Sequence, residues 1–175
     1  TQTGPAEDER DLQVALLDGR AALGSLIRAE VRRGRGIFED LVAKDDRNPT
    51  HHVGLANACV LQYEATRSEA SPDRDSLERA VLHAREAVRL SPALAEARIT
   101  LGFVLDRAGH RLEALASLQR GLTLEPDNWR HQVRMAAVAW GDDRLRAAWR
   151  ALDLWPQLAM AHWLAASVFI ARDAL

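Results

Sequence analysis

Pro92 and Pro126 stand 34 residues apart, and the chain between them follows a fixed order of small and large residues. Each proline closes a similar stretch, Arg89-Leu90-Ser91-Pro92-Ala93-Leu94 in one case and Thr123-Leu124-Glu125-Pro126-Asp127-Asn128 in the other. Proline lacks a backbone donor and stops a helix, so the interval reads as one closed unit. A fixed interval of roughly 20–50 residues is the mark of stacked repeats. Inside it an apolar run over 95–105 leads to a turn at Gly109, followed by Ala114, Leu118 and Gly121. That pattern predicts two amphipathic helices joined by a short turn. Gly102 and Ala114 let the two backbones approach, while Leu101, Leu105 and Leu118 fill the space beside them.

Composition agrees with helices throughout. Of 175 residues 31 are Ala, 25 Leu and 22 Arg, and only 5% are aromatic. The first three favour helix, and the β-branched and aromatic residues that strands use are scarce. An all-α fold is expected. A hydrophobic content of 47% with a net charge of −2 is incompatible with a disordered chain. The longest apolar run, 164–171, is interrupted by Ser167 and falls far short of the ~20 residues that cross a bilayer. No membrane insertion is expected, and the length suits one folding unit over 1–175. Cys59 is the sole cysteine, which excludes an intrachain disulfide and a cysteine zinc site and makes the cytoplasm the simpler compartment. The polar, acidic start over 1–11 has no signal pattern, but the chain begins without Met, so a periplasmic location stays open.

The unit over 95–128 resembles the tetratricopeptide repeat. That family places Leu-Gly at positions seven and eight, Ala at twenty, an apolar residue at twenty-four, a small one at twenty-seven and Pro at thirty-two; here they are Leu101-Gly102, Ala114, Leu118, Gly121 and Pro126. Arg98 departs from the large apolar residue usual at position four. Carried outward, the phase yields a degenerate repeat over 9–49 and a long one over 50–92, whose excess falls in a loop over 66–75 with Asp75 or Ser76 as the next helix cap. A short repeat follows over 129–156, and a terminal helix over 157–171. The resemblance implies about nine helices in antiparallel pairs, a right-handed superhelical α-solenoid. Residues 18–128 are most similar to repeat regions attached to bacterial signalling proteins such as nucleotide cyclases and winged-helix regulators. The basis is Ile37-Phe38-Glu39, Asn48-Pro49, Gly54-Leu55-Ala56 and the long loop.

No enzyme signature is present: there is no P-loop, no Gly-x-Ser-x-Gly and no His-Glu-x-x-His. The six histidines show no pairing at i and i+4 on one helix, so neither metal nor cofactor is expected. Cys59 falls at a packing position and reads as a small buried residue, and His162, at the fourth position of the last helix, as a packed, hydrogen-bonded one. Arg32-Arg33-Gly34-Arg35-Gly36 reads as a helix end followed by a turn, with Gly34 in the left-handed position, rather than as a phosphate grip. Together with the lack of basic and aromatic alternation, this argues against nucleic acid as a partner.

By family geometry a concave groove is lined by the first helix of each pair. The candidates are Asn57, Val60, Tyr63 and Glu64; then Glu96, Ile99, Thr100, Phe103 and Arg107; then Arg130 and Arg134; and finally Trp163. Apolar anchors among both charges suit an extended peptide or a partner helix. The carboxylate clamp of heat-shock co-chaperones is not expected, because Glu96 and Thr100 stand where Lys and Arg are required and only Asn57 agrees. All five tryptophans follow residue 128; the expectation is that they fill space left by the shortened repeat, and the alternative is a recognition surface, since Arg130, Arg134, Arg144, Arg146 and Arg150 lie among them. The last helix spreads Met160, Trp163, Leu164, Val168 and Phe169 around most of its circumference, which points to self-association or to cover by further chain or a partner. The resulting expectation is a non-catalytic module that binds a protein or peptide. Its alternative is a regulatory or sensory segment of a larger bacterial signalling enzyme or transcription regulator.

Overall fold

The computed structural model describes residues 5–173, with side chains from 9 to 172; the first four residues of the polar start lie outside it. Among the described residues the chain is all-α, with nine helices: α1 (Pro5–Gly24), α2 (Arg28–Lys44), α3 (Pro49–Thr66), α4 (Arg74–Leu90), α5 (Ala95–Arg107), α6 (Arg111–Leu124), α7 (Trp129–Val138), α8 (Gly141–Leu154) and α9 (Ala159–Asp173). They form two compact units divided between Pro92 and Ala93. In the first, each of α1, α2 and α3 packs on its successor and α1 also reaches α3. In the second, α5 to α9 repeat the arrangement, with α5 reaching α7 and α7 reaching α9. Short turns make successive helices antiparallel, and within each unit the first helix of a pair packs on the first helix of the next.

Close approach of backbones sets the spacing in both units. A Cβ added at Gly102 would lie 2.5 Å from Leu118 Cγ and 2.7 Å from the Ala114 carbonyl oxygen, so α5 and α6 touch where the small residues predict. In the first unit Phe38 of α2 is fully buried, and its ring lies against two glycines. A Cβ at Gly54 would fall 2.0 Å from the ring and one at Gly19 2.9 Å. Alanines complete the cores: Ala80, Ala84 and Ala87 on α4, and Ala136, Ala148 and Ala151 in the second unit, are each fully buried.

Three expectations are corrected here. The arginine and glycine cluster is not a helix end, because α2 runs unbroken from Arg28 to Lys44. Gly34 is buried mid-helix, where a Cβ would meet Leu23 at 2.9 Å and the Gly19 carbonyl oxygen at 3.2 Å, so contact with α1 outweighs the weak helix propensity of glycine. The arginines around it are held by carboxylates: Arg33 by Asp18 and Glu30, and Arg35 by Glu39. The excess of the long repeat does not sit mainly in a loop, since α3 has 18 residues against 13 in α5 and α4 has 17 against 14 in α6. The loop is 67–73, and the cap of α4 is Asp73, whose carboxylate accepts from the Ser76 amide at 3.0 Å.

The polar residue at the fourth place of a first helix has a structural job. His52 donates from Nε2 to the Asp46 carbonyl at 2.9 Å, Gln132 to the Pro126 carbonyl at 2.8 Å and His162 to the Pro156 carbonyl at 2.8 Å. Each link runs six residues back and ties the helix to the turn before it. His162 is therefore hydrogen-bonded as expected, but it is exposed rather than packed.

Candidate functional site

The second unit gathers the most chemistry on the faces of α5 and α7. Phe103 and Arg107 lie one turn apart on α5, and α7 packs alongside with Arg134. The Arg107 guanidinium carbon is 4.4 Å from the centre of the Phe103 ring and that of Arg134 is 4.1 Å from it. One half-buried ring thus carries two cations, an arrangement that the negative ring face favours. Burial holds Arg134 down to about 10, and the neighbouring charge of Arg107 pushes the same way against the opposing influence of Glu96. Arg107 donates to Asp106 at 2.5 Å, and Arg111 approaches the same carboxylate at 3.4 Å.

The first turn of α7 adds an aromatic edge. Asn128 caps the helix, its side-chain oxygen accepting from the Arg130 amide at 3.1 Å. Arg130 lies over Trp129, 4.4 Å from the ring centre. Trp129 meets Trp155 edge to face with centroids 4.6 Å apart. His131 behind them is buried, which lowers its basicity, and its Nδ1 lies 3.6 Å from Glu125.

The structure thus brings Phe103, Arg107 and Arg134 into one cluster, with Glu96 close enough to act on Arg134 and His131. Arg130 belongs to the tryptophan pair instead, and Trp163 stands on α9, 64% exposed. Ile99 and Thr100 are 3% and 2% exposed and are core residues rather than groove lining; Ile99 fills the space beside Gly121 of α6. In the first unit Val60 is likewise fully buried, whereas Asn57, Tyr63 and Glu64 are half-buried on α3 and Glu64 pairs with Arg67 at 3.4 Å. On α9, Leu164 and Val168 are 3% and 5% exposed, so they hold this helix on its neighbours and leave Met160, Trp163 and Phe169 outside.

The tryptophans do not fill a gap. Trp140, Trp149 and Trp155 are 62%, 50% and 43% exposed. The shortened repeat is closed by Arg144, whose Nε donates to the Ala136 and Ala139 carbonyls at 3.0 Å and whose guanidinium lies 4.3 Å from the Trp140 ring centre. Helix α7 is itself short, at 10 residues, so its last carbonyls are met by a side chain instead of by another turn. Sequence reasoning also missed the contact of His52 with His83, whose Nδ1 atoms are 3.0 Å apart across α3 and α4. Two histidines 31 residues apart carry no local signal; only the pairing of these helices joins them. Cys59 is fully buried, and burial pushes its thiol up. Among the described residues no three potential ligands converge on a metal position, and no helix is long and apolar enough to cross a membrane.

Antiparallel helix pairs with Leu-Gly and Ala contacts at these places define the tetratricopeptide-repeat fold. No family model matches the sequence, and no curated protein is significantly similar to it. Solved structures are similar in fold. TTC0263, a thermophilic tetratricopeptide-repeat protein of Thermus thermophilus, superposes with a TM-score of 0.76 at 24% identity over 94% of this chain and 84% of that one. MamA from Desulfovibrio magneticus RS-1 gives 0.59 at 17% identity over 91% and 85%. The O-GlcNAc transferase of Thermobaculum terrenum gives 0.63 at 19% identity over 87% of this chain but only 27% of the transferase.

Proposed function

We propose that the chain is a non-catalytic protein-interaction module and that the α5–α7 face, centred on Phe103, Arg107 and Arg134, takes an extended peptide or partner helix. The observation that carries this reading is the pair of guanidiniums seated on one half-buried ring. Aromatic and arginine side chains are those most enriched among interface residues that dominate binding energy. Glu96 on the same helix supplies the opposite charge that fixes the register of a bound segment. The tetratricopeptide-repeat fold, shared with TTC0263 and MamA, supports an interaction module in general. The test is selection of peptides from a displayed library on the intact chain, followed by titration calorimetry on the variants. Phe103→Ala weakens a selected peptide by about tenfold or more, an effect of the size expected for an interface anchor. Tyr63→Ala on α3 reads separately whether the first unit takes part. Selected peptides that bind Phe103→Ala and Arg107→Ala as well as the unaltered chain overturn the assignment of this face.

A self-association surface on α9 accompanies this reading, built from Met160, Trp163 and Phe169. They are 54%, 64% and 46% exposed on a helix whose buried side is already satisfied by Leu164 and Val168. Sedimentation equilibrium at micromolar concentration gives a dimer that Trp163→Ala with Phe169→Ala dissociates; a monomer at every concentration removes the surface.

A further inference from the structure

The first unit contains a pocket that the peptide-binding reading does not use. Its volume is about 200 Å³, and it opens between the first turns of α2 and the last turns of α3. The walls are apolar: Leu26, Val31, Leu61 and Ala65. The lining also takes in two residues that bear nitrogen donors, Arg32 on α2 and Gln62 on α3.

Both donors are available. Among the described residues Arg32 makes no ion pair and no hydrogen bond. Its neighbour one turn earlier, Arg28, is a like charge at the spacing where repulsion is felt, and only Arg28 is compensated, by Glu69 at 2.7 Å. Gln62 is held by its oxygen, which accepts from Arg35 at 2.5 Å and from Ser76 at 3.3 Å. That fixes the amide orientation and leaves the nitrogen without an acceptor among the described residues. The one acid in the lining, Asp73, is committed to Ser76, accepting from its amide at 3.0 Å and its hydroxyl at 2.7 Å. The lining thus carries two cations, Arg28 and Arg32, against one carboxylate that Ser76 already engages, a balance that favours an anion.

Size and shape narrow the ligand. A volume of about 200 Å³ corresponds to roughly seven water-sized groups at ~30 Å³ each, below the range of drug-sized sites. Arg28 bonds to both the Ala65 carbonyl and Glu69 and so braces the lining between α2 and the end of α3. Leu26 in the lining holds φ at +57°, a left-handed conformation that leucine rarely adopts.

We infer that this pocket binds a small aliphatic carboxylate, with its carbon chain against Leu26, Val31, Leu61 and Ala65 and its carboxylate accepting from Arg32 and Gln62. The step is binding alone and involves no covalent change. Hexanoate is the probe, titrated into the uniformly ¹⁵N-labelled chain and followed by heteronuclear correlation spectra. The expected result is a saturable shift of the Gln62 side-chain amide and of the backbone amides of Arg32 and Ala65. Hexan-1-ol, which has the same chain and no charge, binds at least fivefold more weakly. Arg32→Gln, at an exposed position, weakens hexanoate about fivefold and leaves hexanol unchanged, and raising the salt from 50 to 500 mM, about threefold in Debye length, weakens hexanoate alone. Ala65→Leu fills the pocket and abolishes both while the far-ultraviolet circular dichroism stays the same. Equal affinity for hexanoate and hexanol, or an Arg32→Gln variant that binds hexanoate as tightly, overturns the inference. So does a response at these residues to the peptide Ala-Ala-Ala-Leu with none to hexanoate, which reassigns the pocket to a peptide C-terminus.

Discussion

Replacing Gly54 by Ala tests the idea that ring-over-glycine contacts hold the first unit together. The added Cβ would stand 2.0 Å from Cε1 and 2.2 Å from Cδ1 of Phe38, a ring with no exposure to solvent. To restore the ~3.5 Å at which carbon contacts are favourable, the ring must retreat by roughly 1.5 Å. Its other edge is close to Gly19, where a Cβ would already be 2.9 Å away, so retreat forces α1, α2 and α3 apart. Overpacking of a filled core costs about 1–3 kcal/mol, and this overlap lies at the upper end. Alanine returns about 1 kcal/mol of helix propensity relative to glycine. The net expectation is a destabilisation of about 2 kcal/mol, read as a fall in the urea midpoint or as about 4–8 °C in melting temperature for a chain of this length. Gly36→Ala is the control: it lies in the middle of α2 with nothing within 4 Å of its Cβ, and it gains about 0.5–1 kcal/mol. The double variant Phe38→Leu with Gly54→Ala is less destabilised than the sum of the single changes, because the smaller side chain vacates the space. A Gly54→Ala chain as stable as the unaltered one would refute the reasoning.

Other outcomes follow from the same geometry. Burial, followed by the charge of His52 and that of Arg79, holds His83 down to about 4, with Glu39 and Glu86 opposing. The unfolded chain, with an ordinary value of 6.5, takes up the proton first, so stability is complete above about 6.5 and is lost as pH falls toward 4, by about 1–2 kcal/mol once solvent screening of this half-buried ring is allowed for. Urea midpoints measured from pH 7 to pH 4.5 show this slope, and His83→Gln flattens it; an unchanged slope in the variant excludes His83 as its source. Asp73→Ala removes the cap of α4 and costs about 1 kcal/mol, with hydrogen exchange of the first turn of α4 rising before that of the rest of the helix. Leu26→Gly relieves the left-handed leucine and raises the melting temperature slightly, since glycine takes φ of +57° without a side-chain clash.

Much of the fold was legible because its causes are local in the chain. Pro92 and Pro126 sit in the turns before α5 and α7, and Gly109 takes φ of +86° where the turn after α5 was read. The Leu101-Gly102 and Ala114 signature placed the α5–α6 contact, because a residue without a side chain matters only where another backbone passes. The same rule misled at Gly34, where glycine was read as a stop and serves as a contact. A glycine has one sequence appearance and two uses, and only the presence of α1 decides between them. Of the groove candidates, Phe103, Arg107 and Arg134 fell together, while Ile99, Thr100 and Val60 were lost to the core; periodicity identifies a helix face but not which edge of it the neighbour covers.

The sequence by itself determined the architecture: an all-α chain of paired helices whose small residues recur at a fixed interval. Period and propensity are properties of consecutive residues, and they survive without knowledge of what is packed where. Tertiary structure alone decided the chemistry. Two arginines share one phenylalanine because α5 and α7 run side by side, His52 meets His83 because α3 and α4 pair, and Arg32 with Gln62 frame a pocket because α2 crosses the end of α3. Each of these depends on distances between residues far apart in the chain, which a side chain's type does not encode and the packing of helices does.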